Sequence, residues 1–301
     1  MDMKKKGLML VFFTAVISGI SIFINSFGVS GFDSSVFTFS KNIVVALLLF
    51  SVIIGVKEFF ALRNLNKKQW SKLATIGLIG GSIPFLLFFK GLQMTTGSTS
   101  GFIHKTLFVF VAVFALFFLK EKLSKGFIFG AVLLLLGAFL MMSPDLVFSS
   151  GHILVLGATI LWGVENVISK NALKELSGNI VAFGRMFFGS LFIFTFLLFT
   201  GKTPMLFSMT NAQYMWIAVT SVFLLLFVFT YYNGLKYVKV STAASVLAIG
   251  APITTALSII FKGTVVTAMQ AAGMLSIVLG VVVIVWGASI YSTVVNYVSE
   301  V

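Results

Sequence analysis

The sequence predicts an all-α integral membrane protein: ten transmembrane helices, arranged as two inverted five-helix repeats around a central cavity. Three observations predict it. The chain is 59% hydrophobic and only 10% charged, with a mean hydropathy of +1.10, whereas water-soluble domains sit near 45–50% apolar and about 25% charged. Apolar runs of about 20 residues, the length that crosses a bilayer, tile almost the entire chain. The second half also repeats the first at a nearly constant offset.

The runs fall at about 7–28, 36–56, 71–91, 96–119, 125–143, 151–172, 178–201, 212–234, 240–262 and 267–290. The opening MDMKKKG and its long apolar run imitate a signal peptide but lack a small-residue cleavage site, so a retained first helix is expected. Short connections make consecutive spans antiparallel. With the N-terminus inside, 15 Lys and Arg fall in inside segments and 3 in outside ones. That bias follows the positive-inside rule and places both termini in the cytoplasm, in a multi-pass protein of the plasma membrane.

The repeat begins with small residues. At an offset of 144, Gly7 matches Gly151, Gly19 matches Gly163 and Lys41 matches Arg185; at 143, Gly91 matches Gly234, Ser98 matches Ser241 and Gly130 matches Gly273. The division falls at 1–146 and 147–301. Five spans per repeat is an odd number, so the halves face opposite ways. Inverted repeats are an architecture of secondary transporters, whose sites lie near the midplane between the halves.

Composition also excludes classes. With no cysteine, there is no disulfide, iron–sulfur cluster or thiolate metal site; two distant histidines make no zinc site, and no cofactor is expected. The net charge of +13 lies in membrane-flanking loops, where topology accounts for it without nucleic acid. No phosphate-binding loop is present, which argues against an ATP-driven pump. An intramembrane enzyme needs a cluster of nucleophile, acid or metal ligands, and the sequence offers one buried Glu and one buried His, with His152 at the outer edge of the sixth span, so an enzyme is not expected. A channel would show rings of polar residues rather than stripes on a few helices.

The stretch Thr95–Ser124 holds two ionisable residues, His104 and Lys105, inside an apolar run. Gly97, Gly101 and Lys105 share one helical face, and a small-residue face either packs closely against another helix or borders a cavity. A lysine near the bilayer centre costs roughly 2.5–3.5 kcal/mol and is expected to face the interior and find a partner. That partner is either a substrate carboxylate or phosphate, or Glu165 in a structural ion pair. Glu165 shares a stripe with Ala158, Trp162 and Ser169; the matching stripe on the first span is Thr14, Ser18, Ser21 and Asn25. Two such stripes suit two walls of one cavity. Glu165 is a candidate to hold a substrate amine or carry a proton, and His104 to couple protons or bond between helices. Lys41 and Arg185 are read either as snorkelling cations or as electropositive entrances, Lys41 near the outside and Arg185 near the inside. Tyr232, beside Tyr231 and Asn233, is either interfacial belt or cavity rim. Gly77, Gly80, Gly81 and Pro84 in the third span, and Gly250 and Pro252 in the ninth, are candidate kinks.

These residues carry a resemblance. Gly91–Thr99 and Gly234–Thr242 share the pattern Gly-Leu-x-x-x-x-x-Ser-Thr, Leu119–Ser124 reads Leu-Lys-Glu-Lys-Leu-Ser, Ala251 and Pro252 stand in the ninth span, and Lys41 and Arg185 open the second and seventh. In this order and spacing the chain resembles the EamA-type transporters of the drug/metabolite transporter superfamily. The resemblance implies export or exchange of a small polar metabolite, such as an amino acid or organic anion, by alternating access. There are departures: Val109 stands where the ninth span has Pro252, so a kink is expected in one half only, and Glu121 has only Thr264 opposite it. The partners implied are a small-molecule substrate, a coupled proton and membrane lipids, with no nucleic acid, for a protein acting as a monomer. Translocation of a lipid or lipid-linked substrate stays open as the alternative.

Overall fold

In the computed structural model, residues 2–28, 32–94, 97–142 and 149–299 are described. Helix is the only regular secondary structure among these residues. Nine helical stretches among them are long and apolar enough to cross a membrane, and a sixteen-residue apolar helix is the tenth.

The first span is α1 (Met3–Gly28), which takes the opening lysines into the helix, and the second is α2 (Ser34–Gly55). Asp33 caps α2, accepting from the backbone N–H of Ser35 at 2.9 Å and Val36 at 3.2 Å. The polar gap that follows holds a short helix, α3 (Phe59–Arg63), which the hydropathy pattern did not suggest. The third span is broken into α4 (Lys67–Gly81) and α5 (Ile83–Gln93) at Ser82, as Gly80, Gly81 and Pro84 foretold. The fourth consists of α6 (Gly97–Lys105) and α7 (Leu107–Phe118), and α8 (Lys125–Leu140) completes the first half. The second half runs α9 (Ser150–Ala172), α10 (Gly178–Phe199), α11 (Asn211–Leu235), α12 (Val240–Val246), α13 (Gly250–Lys262) and α14 (Ala268–Ser299). The division at 146 and 147, and Thr95 and Thr96, lie outside the described residues.

One expectation is corrected here. Of the matching fourth and ninth spans, a kink was expected in the ninth alone, on the strength of Pro252. The fourth span breaks too, at Thr106, whose hydroxyl donates to the Ile103 carbonyl at 2.6 Å and whose N–H is shared by the carbonyls of Phe102 and Ile103. The ninth breaks at the matching place, through a turn of 3₁₀ helix at Leu247–Ile249. A threonine side chain and a tightened turn supply in one half what proline supplies in the other.

Glycines set the packing, and they do so in symmetric pairs. A Cβ on Gly7 would stand 3.0 Å from the Gly234 carbonyl, and one on Gly91 would stand 2.7 Å from that of Gly151. These are the same contact in the two halves: α1 against α11, and α9 against α5. On the α8–α14 crossing the repeat meets itself: Gly130 faces Gly280, and Gly137 faces Gly273, each within 2.6 Å by the same measure. Backbones this close leave no room for a side chain. Gly137→Leu is therefore expected to lower thermal stability by roughly 1–3 kcal/mol through overpacking, and a melting curve of the purified protein checks it.

The loops sort onto two faces. Lys72 meets Glu175 at 3.0 Å, Ser177 donates to Glu58 at 2.7 Å, and Lys239 donates to the Lys122 carbonyl at 2.7 Å. The lysine-rich loops after α2, α7, α9 and α11 thus share one basic face. On the opposite face Lys202 meets Asp33 at 2.6 Å. Burial raises the Asp33 pKa, but the Lys202 bond, with those from Ser35 and Val36, outweighs it and leaves the carboxyl below its usual 3.8. A depressed carboxyl stabilises the fold above its unfolded pKa, and that stability is lost as pH falls through the folded value. Asp33→Asn is expected to flatten the loss of melting temperature on acidification below pH 3.8.

Candidate functional site

Pro84 starts the site. Lacking an N–H, it cannot donate to the carbonyl four residues back, which belongs to Gly80. That carbonyl instead accepts from Trp162 Nε1 and from Arg185 Nη2, each at 3.0 Å. The Gly81 carbonyl beside the break accepts from Asn42 Nδ2 at 2.9 Å. One kink therefore anchors side chains from α9, α10 and α2 with two freed backbone oxygens, as buried polar groups require.

Gly80 contributes a second feature. A Cβ there would sit 2.3 Å from Glu165 Cγ and 3.2 Å from Arg185 Nε. The bare backbone lets Glu165 and Arg185, 2% and 7% exposed, meet across it, with Nε 4.0 Å from Oε1. Glu165 Oε1 also accepts from Ser169 Oγ at 2.5 Å and Tyr232 OH at 2.7 Å. Among the described residues the guanidinium makes one hydrogen bond, and its Nε makes none. Next to this pair stands a ring cluster. Trp162 lies 5.2 Å from Phe85, 5.5 Å from Phe88 and 5.0 Å from His104, centroid to centroid. The His104 Nδ1 is buried and without a partner among the described residues.

The geometry thus brings His104, Trp162, Glu165, Arg185 and Tyr232 together. Lys105 follows His104 at the end of α6 and makes no hydrogen bond or ion pair among the described residues. The alternative that pairs it with Glu165 is corrected: Arg185, admitted by Gly80, is the acid's partner. Arg185 is no entrance group either, being buried against α4. Lys41 lies over the Phe37 ring at 4.2 Å. On α1, Asn25 Nδ2 donates to Ser21 Oγ at 3.2 Å, while its Oδ1 has no partner among the described residues. Thr14 turns away to Thr230 on α11. Tyr232 is interior rather than belt, as is Tyr231, whose hydroxyl bonds Asn166.

The two stripes are therefore chemically unequal. Ser21 and Asn25 repeat the bond between Glu165 and Ser169, yet Ser21 gives Lys41 no carboxylate. The α11 helix has no proline and no break to free a carbonyl. At Gly101 a Cβ would meet nothing within 4 Å, so that stretch of the α6 face borders open space instead of a packed helix. Sequence reading missed Asn42, Phe85 and Phe88; the position of Pro84, four residues after Gly80, was the available signal for the carbonyl.

A family model described as the EamA-like transporter family matches the chain twice, at residues 5–143 and 149–286. The chain belongs to the EamA-like transporter family. It is 24% identical over 294 residues to an uncharacterized transporter of Clostridium kluyveri, covering 93% of each chain. It is also 28% identical to the riboflavin transporter ImpX of Fusobacterium nucleatum, over 52% of this chain and 56% of that one. The uncharacterized inner membrane transporter YhbE of Escherichia coli is 28% identical over 48% of each chain. A solved crystal structure shares the fold, with a TM-score of 0.76 at 13% identity, covering 93% of this chain and 98% of the other. This EamA-like protein is a multi-pass membrane transporter.

Proposed function

We propose that this EamA-like protein is a secondary transporter that moves a small metabolite bearing a carboxylate or phosphate by alternating access. Lys105 carries the proposal. It is an intramembrane lysine without an acidic partner among the described residues, next in the chain to His104, whose ring packs on Trp162. Such residues are costly in the bilayer and mark substrate pathways. The acid in the site, Glu165, is already balanced by Arg185, so Lys105 and Lys41 leave an excess of positive charge for an anion. Arg185, with most of its fork unspent, adds planar donors suited to a carboxylate or phosphate. Glu165 gives an amine somewhere to go, which keeps amino acids within the class. By the positive-inside rule the basic face and both termini lie in the cytoplasm, in the plasma membrane.

A second reading, a solute with a planar ring, draws on the Phe85–Phe88–His104–Trp162 cluster and on the substrate in the name of the Fusobacterium relative. One experiment separates them: thermal stability of the purified protein against amino acids, organic acids, sugar phosphates, nucleotides and riboflavin. A ligand held a hundredfold above its Kd raises apparent stability by about 2.7 kcal/mol. Stabilisation by carboxylates or phosphates, lost in Lys105→Ala while the unliganded melting curve stays put, is the expected result. A response to riboflavin alone supports the ring reading. Stabilisation that survives Lys105→Ala removes Lys105 from the site, and no response to any soluble compound turns attention to lipid substrates.

A further inference from the structure

Four of the described residues have a left-handed backbone, and the repeat sorts them into two pairs. Lys57 (φ 63°) follows α2, and Gly201 (φ 67°), at the 144-residue offset, follows α10. Lys120 (φ 54°) follows α7, and Gly263 (φ 64°), at the 143-residue offset, follows α13. Each pair closes with the same backbone bond. The Glu58 N–H donates to the Ile53 carbonyl at 2.9 Å, as the Lys202 N–H does to that of Leu197 at 2.9 Å. The Glu121 N–H donates to the Ala115 carbonyl at 3.1 Å, as the Thr264 N–H does to that of Ser258 at 3.2 Å. The two turns are thus each built twice, with lysine on the basic face and glycine on the opposite one.

Glycine is the usual left-handed residue at a helix end, because a Cβ there crowds the following carbonyl. Neither space nor the helix dipole accounts for the lysines. A Cβ on Gly201 or Gly263 would meet nothing within 4 Å, so a side chain fits at those turns too. A cation suits the C-terminal end of a helix, but Lys202 and Lys262 supply one beside each glycine, on backbone that is not left-handed. Those two turn back onto the protein, Lys202 to Asp33 and Lys262 over the Phe23 and Phe27 rings. Nor does aiming Glu58 at Ser177 and Glu121 at Ser241 require lysine, since glycine makes the same turns.

Lys57 and Lys120 are exposed and enter no ion pair among the described residues. They stand where the apolar outer surface gives out. Val56, Phe59 and Phe60 flank Lys57, Phe117 and Phe118 shortly precede Lys120, and all five are exposed. A lysine beside exposed apolar side chains at the end of a span carries its ammonium at the level of the lipid headgroups. We propose that Lys57 and Lys120 bind the headgroups of anionic phospholipids along the basic face, and that the left-handed strain at both positions is tolerated for this contact. A basic residue at the membrane surface strengthens binding to anionic lipid by about fivefold.

The test replaces both lysines by glycine, Lys57→Gly with Lys120→Gly, and separately by arginine, which keeps both the charge and the strain. Melting temperatures are measured in nanodiscs of phosphatidylcholine, in discs of equal parts phosphatidylcholine and phosphatidylglycerol, and in phosphatidylcholine discs with added inorganic phosphate. A disc offers the same lipid to both faces, so the result depends neither on which face is cytoplasmic nor on what is transported. Phosphatidylglycerol is expected to raise the melting temperature of the native protein. The glycine variant, relieved of strain, is expected to melt about 2–4 °C above the native protein in phosphatidylcholine and to lose most of the gain from phosphatidylglycerol. Its affinity in a phosphatidylglycerol titration is expected to fall by at least about fivefold, while the arginine variant behaves as the native protein does. A glycine variant that melts lower in phosphatidylcholine would show the lysines serving the fold itself. A phosphatidylglycerol gain that the glycine variant keeps in full, or that the native protein lacks, would remove the headgroups from these turns. The same gain from inorganic phosphate would make this a site for a soluble anion. Each of these results overturns the proposal.

Discussion

Gly80→Ala is expected to abolish transport and to destabilise the protein by roughly 1–3 kcal/mol, the usual cost of forcing extra atoms into a packed site. Alanine normally favours a helix over glycine, by about 1 kcal/mol, so propensity works against this outcome. The contact decides it. The added methyl would stand 2.3 Å from Glu165 Cγ and 2.8 Å from its Cδ, with Arg185 Nε at 3.2 Å. Neither side chain can yield independently. Arg185 is tied to the Gly80 carbonyl itself, and Glu165 is tied to Ser169 and Tyr232. Pushing them apart also pulls at Trp162, which hangs on the same carbonyl. Gly101→Ala is the control. Its methyl would meet nothing within 4 Å, so the protein is expected to keep its melting temperature and gain only helix propensity. Uptake into proteoliposomes and a melting curve for both variants test the pair. Full transport by Gly80→Ala would mean that the Glu165–Arg185 approach is not needed in the cycle.

What could be read from the sequence, and what could not, divides along physical lines. Spans, the two-repeat plan and the break in the third span are one-dimensional signals: apolar runs, matching glycines, and Gly80, Gly81 and Pro84 in order. The small-residue offset anticipated real contacts, since Gly7 meets Gly234 just as Gly91 meets Gly151. Pairing of charges was not legible. His104 and Lys105 drew notice because they interrupt an apolar run, and Glu165 because it is alone, but which cation reaches which acid depends on a gap left at Gly80, three membrane spans before Glu165. The break at Thr106 was missed for a similar reason. Val109 stands where a proline was sought, while a threonine hydroxyl bonding Ile103 does the same work under a less specific residue type.

The pairing itself carries the other large effect. Glu165→Gln and Arg185→Met are each expected to stop transport and to destabilise the protein, by up to about 3–5 kcal/mol if the remaining charge stays buried without compensation. The 4.0 Å separation is long for a direct bond, so the loss belongs chiefly to the desolvated group left behind. Removing both charges avoids that penalty, since neutral replacements for a buried pair are often tolerated. The double variant Glu165→Gln with Arg185→Met is therefore expected to recover most of the melting temperature. Its transport separates two accounts of the pair. If the two residues merely neutralise each other, transport returns with stability. If Arg185 lends its unspent donors to a substrate anion, as its Nε, without a hydrogen-bond partner among the described residues, and its place over the Phe85 ring support, the refolded double variant stays inactive. The comparison needs stability and uptake on the same four proteins, with the interaction energy taken from the cycle they form. Recovered stability without transport is the expected outcome. Recovery of both would reassign the pair to the scaffold and leave Lys105 and Lys41 to hold the substrate.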